Sequence, residues 1–153
     1  MKKAWNDKDI VTPWCVITFT PDGVTGESIN VGLVAFLDAG NTCYLMCRFC
    51  YDTSRLTGSF QNFGEKDVEF FKQGLANMEA AFHRRAILYA PTVDDFPAFV
   101  MDVLLDPEQS FKAKQFMKSL TPYPAVHFER MYERQVLHHL KEGYEKTRTA
   151  IEN

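Results

Sequence analysis

The strongest constraint on the fold is the stretch INVGLVAFL, residues 29–37, which is an almost continuous apolar run. Its β-branched and aromatic side chains favour a strand that is covered on both faces. Gly32 inside the run indicates a bulge or the close approach of another backbone. The turn-forming segment PDGVTGES precedes the run and DAGN follows it, so we expect further strands on either side.

The flanking segments carry strand and helix patterns. Residues 14–20, WCVITFT, alternate and are rich in β-branched and aromatic residues, and residues 42–50 return as a third strand after the DAGN turn. Over residues 65–88 apolar side chains recur at steps of three and four, which predicts an amphipathic helix. A second helix is predicted to start at Pro97 and run through Leu105.

The last third of the chain predicts an edge strand and a closing helix. Residues 110–118 alternate Phe111 and Ala113 with Lys112 and Lys114, a pattern typical of a lysine-guarded edge strand. A long closing helix follows Pro124. Its apolar spacing is Phe128, Met131, Tyr132, Val136, Leu140 and Tyr144.

These elements predict an α+β fold. We expect an antiparallel β-meander of three strands, an extra edge strand, and about three helices packed on one face of the sheet. A chain of 153 residues with 46% hydrophobic residues is large enough for one core, so residues 1–153 form a single predicted domain. We expect residues 1–10 and 147–153 to be frayed.

Charge and targeting signals narrow the functional class. The net charge of −3 argues against a general binder of nucleic acid or acidic membranes, although residues 111–153 carry +3. No apolar run follows the basic residues of MKKAWNDKDI, and no stretch approaches 18 apolar residues, so we expect neither an export signal nor a membrane span. Four cysteines without an export signal suggest reduced thiols and a cytoplasmic location.

Three cysteines, Cys43, Cys47 and Cys50, lie within eight residues in CYLMCRFC. The C-x3-C-x2-C spacing looks like the loop that holds an iron–sulfur cluster in radical S-adenosylmethionine enzymes. In a strand, however, Cys43 and Cys47 share one face, about 13 Å apart, while Cys50 points to the other. We interpret the cysteines as core residues and predict no cofactor. The alternative is an iron–sulfur or zinc-binding redox protein that uses these three thiols.

No other motif indicates catalysis. The sequence contains no G-x-S-x-G, P-loop, G-x-G-x-x-G or H-E-x-x-H pattern. The adjacent His138 and His139 face different sides of the closing helix, which does not favour a metal pair. Catalytic residues are therefore not predicted, and the interpretation leans away from an enzyme.

Two groups of residues are candidate binding sites. Glu27 and Asn30 are polar residues at the mouth of an apolar strand, and burying them without partners would cost about 1–3 kcal/mol each. We expect Arg48, Asp52 and Arg55 to supply those partners, either as a structural network or as a binding spot for an anionic group.

The second group mixes aromatic and basic residues along the predicted edge strand. Phe111, Lys112, Lys114 and Phe116 form this pattern, which single-stranded nucleic-acid sites and guarded edge strands share. Exposure of both phenylalanines together would favour nucleic acid.

Segments of the chain resemble the bacterial domain-of-unknown-function 3037 family. The segment TPDGVTGESINVGLVAF, residues 20–36, is similar to that family's opening pattern, and RFCYDTSRL, residues 48–56, is similar to its R-F-x-x-D-x-x-R-L pattern. The segment FERMYERQV, residues 128–136, looks like the family's closing helix. Thr18 stands where the family often has an arginine.

The resemblance implies a partner rather than a reaction. Members of this family look as though they are often encoded beside HipA-like kinases, in a toxin–antitoxin-like context. The leading hypothesis is therefore a cytoplasmic protein-interaction module without catalytic activity, with a HipA-like kinase as the candidate partner. The alternatives are the redox protein described above and a nucleic-acid accessory protein that uses the basic C-terminal third.

Overall fold

The computed structural model describes residues 9–20, 28–38, 43–54, 56, 63–89, 92–104 and 111–137. Within these ranges the strands are β1 (Ile10–Phe19), β2 (Ile29–Asp38), β3 (Cys43–Phe49), β4 (Phe111–Ala113) and β5 (Met117–Thr121). The helices are α1 (Glu65–Tyr89), α2 (Phe96–Val103) and α3 (Pro124–Tyr132). A 3-10 turn, Val93–Asp95, leads into α2, and a π-helical turn, Glu133–Leu137, continues α3.

The strands form one antiparallel sheet in the order β3-β2-β1-β4, and β5 also pairs with β1. The predicted α+β class and the β-meander with an added edge strand are confirmed. The predicted edge strand is divided into two short strands, because the edge has one residue more than β1 at this point: three steps of β1, from Trp14 to Ile17, run beside four steps of the edge, from Ala113 to Met117.

Strand β1 begins at Ile10, four residues before the predicted start and inside the segment that we expected to be frayed. The cause is a distant partner. Ile10 pairs with Thr121, and the pairing with β5 continues to Trp14 and Met117. The backbone groups of the early residues are satisfied by a strand more than 100 positions away, which local sequence patterns do not reveal.

A β-bulge lies where Gly32 predicted an irregularity. The register changes from Ile17↔Gly32 to Thr18↔Asn30, which leaves Val31 as the extra residue of β2. On the other side Gly32 pairs with Phe49, and a Cβ on Gly32 would overlap the Phe49 ring. Glycine is therefore required here by the close approach of an aromatic side chain.

The core has two parts, one on each face of the sheet. We call the side covered by α1 and α2 the aromatic face, since most of its large buried side chains are phenylalanines. They are Phe19, Phe36, Phe49, Phe71, Phe82, Phe96, Phe99 and Phe111. We call the other side the closing-helix face, where Val16, Leu33 and Ala35 pack against residues of α3 and the π-helical turn.

The placement of helices on one face was wrong in one respect, because α3 lies on the face opposite to α1 and α2. The physical reason is in β2, whose residues from Ile29 to Phe36 are all buried. A strand that is apolar on both sides needs a cover on both sides. None of the helices in the described part of the chain combines the length and the apolar character that crossing a membrane requires.

Candidate functional site

Asn30 is buried and is tied to the closing-helix face. Its side-chain Nδ2 donates a hydrogen bond to the backbone carbonyl of Gln135 at 2.9 Å, within the π-helical turn. Asn30 thus has a hydrogen-bond partner, as its burial led us to expect. That partner belongs to the turn that continues α3 and is not Arg48. Two other members of the predicted network, Glu27 and Arg55, lie outside the described residues.

Arg48 is also engaged by α3. Its guanidinium forms an ion pair with Glu129 and lies over the ring of Tyr132, 4.7 Å from the ring centroid. Both charged side chains remain about half exposed, 49% for Arg48 and 54% for Glu129. Asp52 is exposed, and its carboxylate accepts a hydrogen bond from the backbone N–H of Ser54 at 3.0 Å.

Three separate stretches of sequence meet at this junction. Tyr132 lies beside Cys50 as well as Arg48, and both neighbours influence its phenol. Burial, followed by the neighbouring Cys50, raises the pKa of Tyr132 to about 12. The phenol is therefore neutral at physiological pH, and the junction of β2, β3 and α3 is a set of mutually satisfied groups. Sequence reasoning missed Glu129 and Tyr132 as partners because the helical spacing of this segment identified only its apolar side.

The cysteines are divided between the two faces, as the predicted alternation requires. Cys43 and Cys47 pack against the aromatic face, and Cys50 belongs to the closing-helix face. All four thiols of the chain are free. Since β3 is a regular strand through Phe49, Cys43 and Cys47 are four residues apart on one face and Cys50 belongs to the other, so the three thiols do not converge on one centre, which does not fit a cluster held by all of them.

Cys47 has a neighbour that the sequence did not indicate. Its Sγ lies 3.4 Å from His83 Nε2 on α1, and one turn earlier on α1 Glu79 accepts a 2.7 Å hydrogen bond from the Tyr51 hydroxyl. Burial, with a smaller contribution from Glu79, raises the pKa of the Cys47 thiol to about 12. A nucleophilic cysteine needs a lowered pKa, so this pair is not arranged as an activated thiolate.

The Cys47–His83 contact brings together two side chains of types that can bind metals. Across the described segments, no group of three or more histidine, cysteine, aspartate or glutamate side chains is arranged to hold a metal ion. Sequence alone offered no signal for the Cys47–His83 contact, because it depends on which side of α1 meets β3.

The two predicted contact phenylalanines are core residues. Phe111 is buried against the rings of Phe19 and Phe71, with centroid distances of 5.1 and 6.0 Å. Phe116 is half-buried and meets Phe96 edge to face at 5.9 Å. The two rings are therefore not exposed together, as neighbouring platforms for base stacking would be.

The lysines of the same stretch are exposed, and apolar side chains beside them are exposed too. Lys112, Lys114 and Lys118 all face solvent. Leu120 is 69% exposed, Tyr123 71% and Val126 52%. We call this region the edge surface. It consists of the outer edges of β4 and β5 with the side chains of Lys112, Lys114, Met117, Lys118, Leu120, Tyr123 and Val126.

Comparisons with known proteins identify a family and no activity. The family model described as "Protein of unknown function (DUF3037)" matches residues 14–136. That range includes every described strand and helix except the first residues of β1 and the last residue of the π-helical turn. Searches of curated proteins and of solved structures gave no match.

Proposed function

The chain belongs to the DUF3037 family, and we propose that it acts as a small protein-interaction module without catalytic activity, with the edge surface as its contact region. The observation that carries the proposal is the combination of an open sheet edge with exposed apolar side chains. Among the described strands β4 and β5 pair only with β1, so their outer backbone groups have no strand partner. Such an edge is a template for an added strand.

The exposed side chains at this edge support the same conclusion. Leu120, Tyr123 and Val126 lie within seven residues of one another in the chain and are all more than half exposed. Single exposed apolar residues are ordinary on a protein surface, whereas several beside an unpaired strand edge are typical of interaction sites. Tyrosine adds a large contact area with a polar tip, which suits the border of an interface.

The other candidate regions offer less to a partner. Arg48 and Glu129 satisfy each other, and Asn30 is buried in a contact with Gln135. The Cys47 thiol stays protonated and packs against the core, with His83 beside it. These contacts hold the sheet and helices together, so we assign them a structural role and place the binding role at the edge surface.

We further propose a HipA-like kinase as the partner and the cytoplasm as the location. This part rests on the family resemblance and its implied toxin–antitoxin-like context. In this proposal the chain modulates the kinase by binding alone, because binding at a sheet edge requires no catalytic group from the chain.

The test is a tagged pull-down from the native host at physiological salt, read by mass spectrometry. The unmodified chain is compared with a double variant, Leu120→Ser and Tyr123→Ser, and with a matched control, Phe70→Ser and Ile87→Ser. Phe70 and Ile87 on α1 are each 83% exposed, against 69% for Leu120 and 71% for Tyr123, so the control removes apolar groups elsewhere that are at least as exposed.

We expect a stoichiometric protein partner that the control retains and the edge variant loses. A kinase among the retained proteins would support the specific partner. Recovery of the tagged protein alone, or a partner that both variants retain equally, would contradict the assignment of the edge surface.

A further inference from the structure

We infer that the edge surface binds an acidic, extended segment of its protein partner, which adds as a strand beside β5 and places carboxylates next to the lysines. The inference rests on the proposed function and specifies the chemistry of the partner. It is supported by the positive charge of the edge, the order of side chains along β5, and the repulsion between lysines that would oppose pairing with a second copy of the chain.

The edge surface is the basic part of an acidic chain. Residues 111–126 contain three lysines and no aspartate or glutamate, so this stretch carries +3. The chain as a whole carries −3, which leaves −6 for the remaining residues. All three lysines are exposed, and none has an ion pair among the described residues. A partner segment with carboxylates therefore gains attraction on approach and after docking.

The order of side chains along β5 indicates where those carboxylates would lie. Lys118 pairs with Pro13 and Leu120 pairs with Val11, so the two side chains emerge on the same face of the sheet, two positions apart. A strand added outside β5 would place one residue opposite each of them. The matching pair is an acidic residue opposite Lys118 and an apolar residue opposite Leu120.

The length of β5 limits the pairing. Five residues, Met117–Thr121, are available as a regular strand, and the irregular link from Lys114 to Phe116 interrupts the edge before β4. The N–H of Lys114 is already used, since it donates to the Val16 carbonyl at 2.8 Å. We therefore expect a core contact of about five residues, with Lys112 and Lys114 attracting carboxylates that lie beyond it.

A second copy of the chain is a poor occupant of this edge. Pairing two β5 edges would bring the Lys118 side chains of both copies onto neighbouring strands, which lie about 4.8 Å apart, with Lys112 and Lys114 of each copy close by. Like charges opposite each other destabilise strand pairing. The lysines thus discourage self-association and leave the edge open to a segment of opposite charge.

A single-stranded nucleic acid is also acidic, but the edge lacks what it needs. Phe111 is buried and Phe116 is packed against Phe96, so the aromatic rings that alternate with the lysines are turned into the core. Apolar contacts at Leu120 and Val126 suit a peptide side chain better than a base. Nucleic-acid binding is therefore the alternative that the oligothymidine comparator tests.

The test uses synthetic peptides and the full chain labelled with nitrogen-15. The first peptide is capped at both ends. Every second residue is threonine, and the positions between the threonines are alternately glutamate and valine. A second has glutamine in place of every glutamate, and a third keeps the glutamates but carries N-methyl groups on alternate backbone nitrogens. Binding is followed by shifts of the backbone amide signals, with a twelve-residue oligothymidine as the comparator.

We expect the glutamate peptide to shift the signals of residues 111–121 and to bind at least about tenfold more tightly than the glutamine peptide. N-methylation removes donors that strand pairing needs, so the third peptide should bind much more weakly. Added salt should weaken the glutamate peptide more than the glutamine peptide.

A pair of variants locates the charge effect. The edge variant is Lys112→Glu, Lys114→Glu and Lys118→Glu, and the control is Lys66→Glu, Lys72→Glu and Arg84→Glu on α1. All six positions are exposed, and both variants change the net charge by the same amount. We expect the edge variant to lose the glutamate peptide and the control to weaken it by no more than about threefold, through long-range charge alone. Circular dichroism checks that each variant folds.

Other outcomes overturn the inference. Equal binding of the glutamate and glutamine peptides, or of the N-methylated peptide, would reject an acidic strand. Preferred binding of oligothymidine would assign the edge to nucleic acid, and a dimer in sedimentation that the edge variant loses would assign it to a second copy. If the pull-down partner depends on Leu120 and Tyr123 while the peptides do not discriminate, the proposed function stands and only the acidic segment is wrong.

Discussion

The two faces of the sheet are held in different ways. On the aromatic face the helices cover a continuous cluster of phenylalanine rings, and on the closing-helix face a smaller apolar cluster is combined with polar contacts. Burial of large rings is non-directional, whereas a hydrogen bond fixes one arrangement. The large aromatic part of the core is therefore held by ring packing, whereas the position of α3 is set by directional polar contacts.

The ring contacts on the aromatic face are dense. Phe36 meets Phe96 at 4.9 Å and Phe99 at 4.8 Å, and Phe19 meets Phe71 at 4.8 Å. These distances and edge-to-face arrangements are those that aromatic pairs prefer. The rings therefore link β1 and β2 to α1 and α2 without any polar group between them.

The closing-helix face depends on side-chain hydrogen bonds across long sequence separations. Besides the contacts of Asn30 and Arg48, Trp14 Nε1 donates to Ser119 Oγ at 2.8 Å. Two buried polar atoms in the described residues, Thr12 Oγ1 and His127 Nε2, have no hydrogen-bond partner. Thr12 is two positions from Trp14 in β1 and therefore lies on the same face of the sheet, and His127 is on α3. Both residues belong to the closing-helix face. This face is the less completely satisfied of the two.

The largest expected effect is the removal of a ring from the aromatic face. Phe36→Ala deletes a fully buried side chain with two ring partners, and we expect a loss of about 4–5 kcal/mol in the free energy of unfolding. Phe128→Ala on the closing-helix face should cost about 3 kcal/mol, since the smaller cluster leaves more room to relax. Urea unfolding of both variants measures the difference.

Because Phe36→Ala could prevent folding, Phe36→Leu serves as the conservative variant and should cost about 1–2 kcal/mol. An equal or larger loss for Phe128→Ala would break the proposed difference between the faces.

The next effect concerns the glycine under Phe49. A Cβ at position 32 would overlap the Phe49 ring and would lie 3.2 Å from the Arg48 carbonyl oxygen, so we expect Gly32→Ala to cost about 2–3 kcal/mol. In a Phe49→Leu background the same change should cost about 1 kcal/mol, because the smaller side chain leaves space. Thermal or urea unfolding of the four proteins in the cycle tests this. A cost that does not depend on residue 49 would mean that the backbone of the bulge, rather than the ring, requires glycine.

A smaller effect is expected from Asn30. Asn30→Ala leaves the Gln135 carbonyl without its side-chain donor, and we expect a loss of about 1–2 kcal/mol. The change should be local, so hydrogen exchange should accelerate in residues 128–136 more than in α1. Asn77→Ala on the exposed side of α1 deletes the same group and should stay within about 0.5 kcal/mol. Uniform acceleration over the whole chain would show that Asn30 does not act through α3.

The features that could be predicted from sequence are those that depend on neighbours along the chain. The alternation in CYLMCRFC placed Cys43 and Cys47 on one face and Cys50 on the other, and the run of β2 predicted a strand covered on both sides. Both follow from the period of two in a strand. The edge strand was found from the same alternation, and the closing helix was found from the helical period of 3.6.

The contacts that were missed join distant parts of the chain. Asn30 and Gln135 are 105 positions apart, Arg48 and Glu129 are 81 apart, and Cys47 and His83 are 36 apart. A single sequence shows that Asn30 needs a partner but not which helix turn will supply it. Phe111 was misread as a contact residue because a lysine-flanked phenylalanine has the same local pattern whether its ring points to solvent or to Phe19.

The smallest expected effect is at the Arg48–Glu129 pair, and it tests how much the closing-helix face depends on charge. Both side chains are about half exposed, so a double-mutant cycle with Arg48→Ala and Glu129→Ala should give a coupling of about 0.5 kcal/mol, reduced further in 0.5 M salt. Arg48→Ala should cost more than Glu129→Ala, since it also removes the guanidinium from the Tyr132 ring. Arg48→Lys keeps the charge but not the planar group, so it should recover the ion pair and only part of the ring contact. A coupling above about 2 kcal/mol, or one insensitive to salt, would contradict the view of an exposed pair. In that case the junction would have to close more tightly than its exposure indicates, and α3 would be fixed by charge as much as by Asn30.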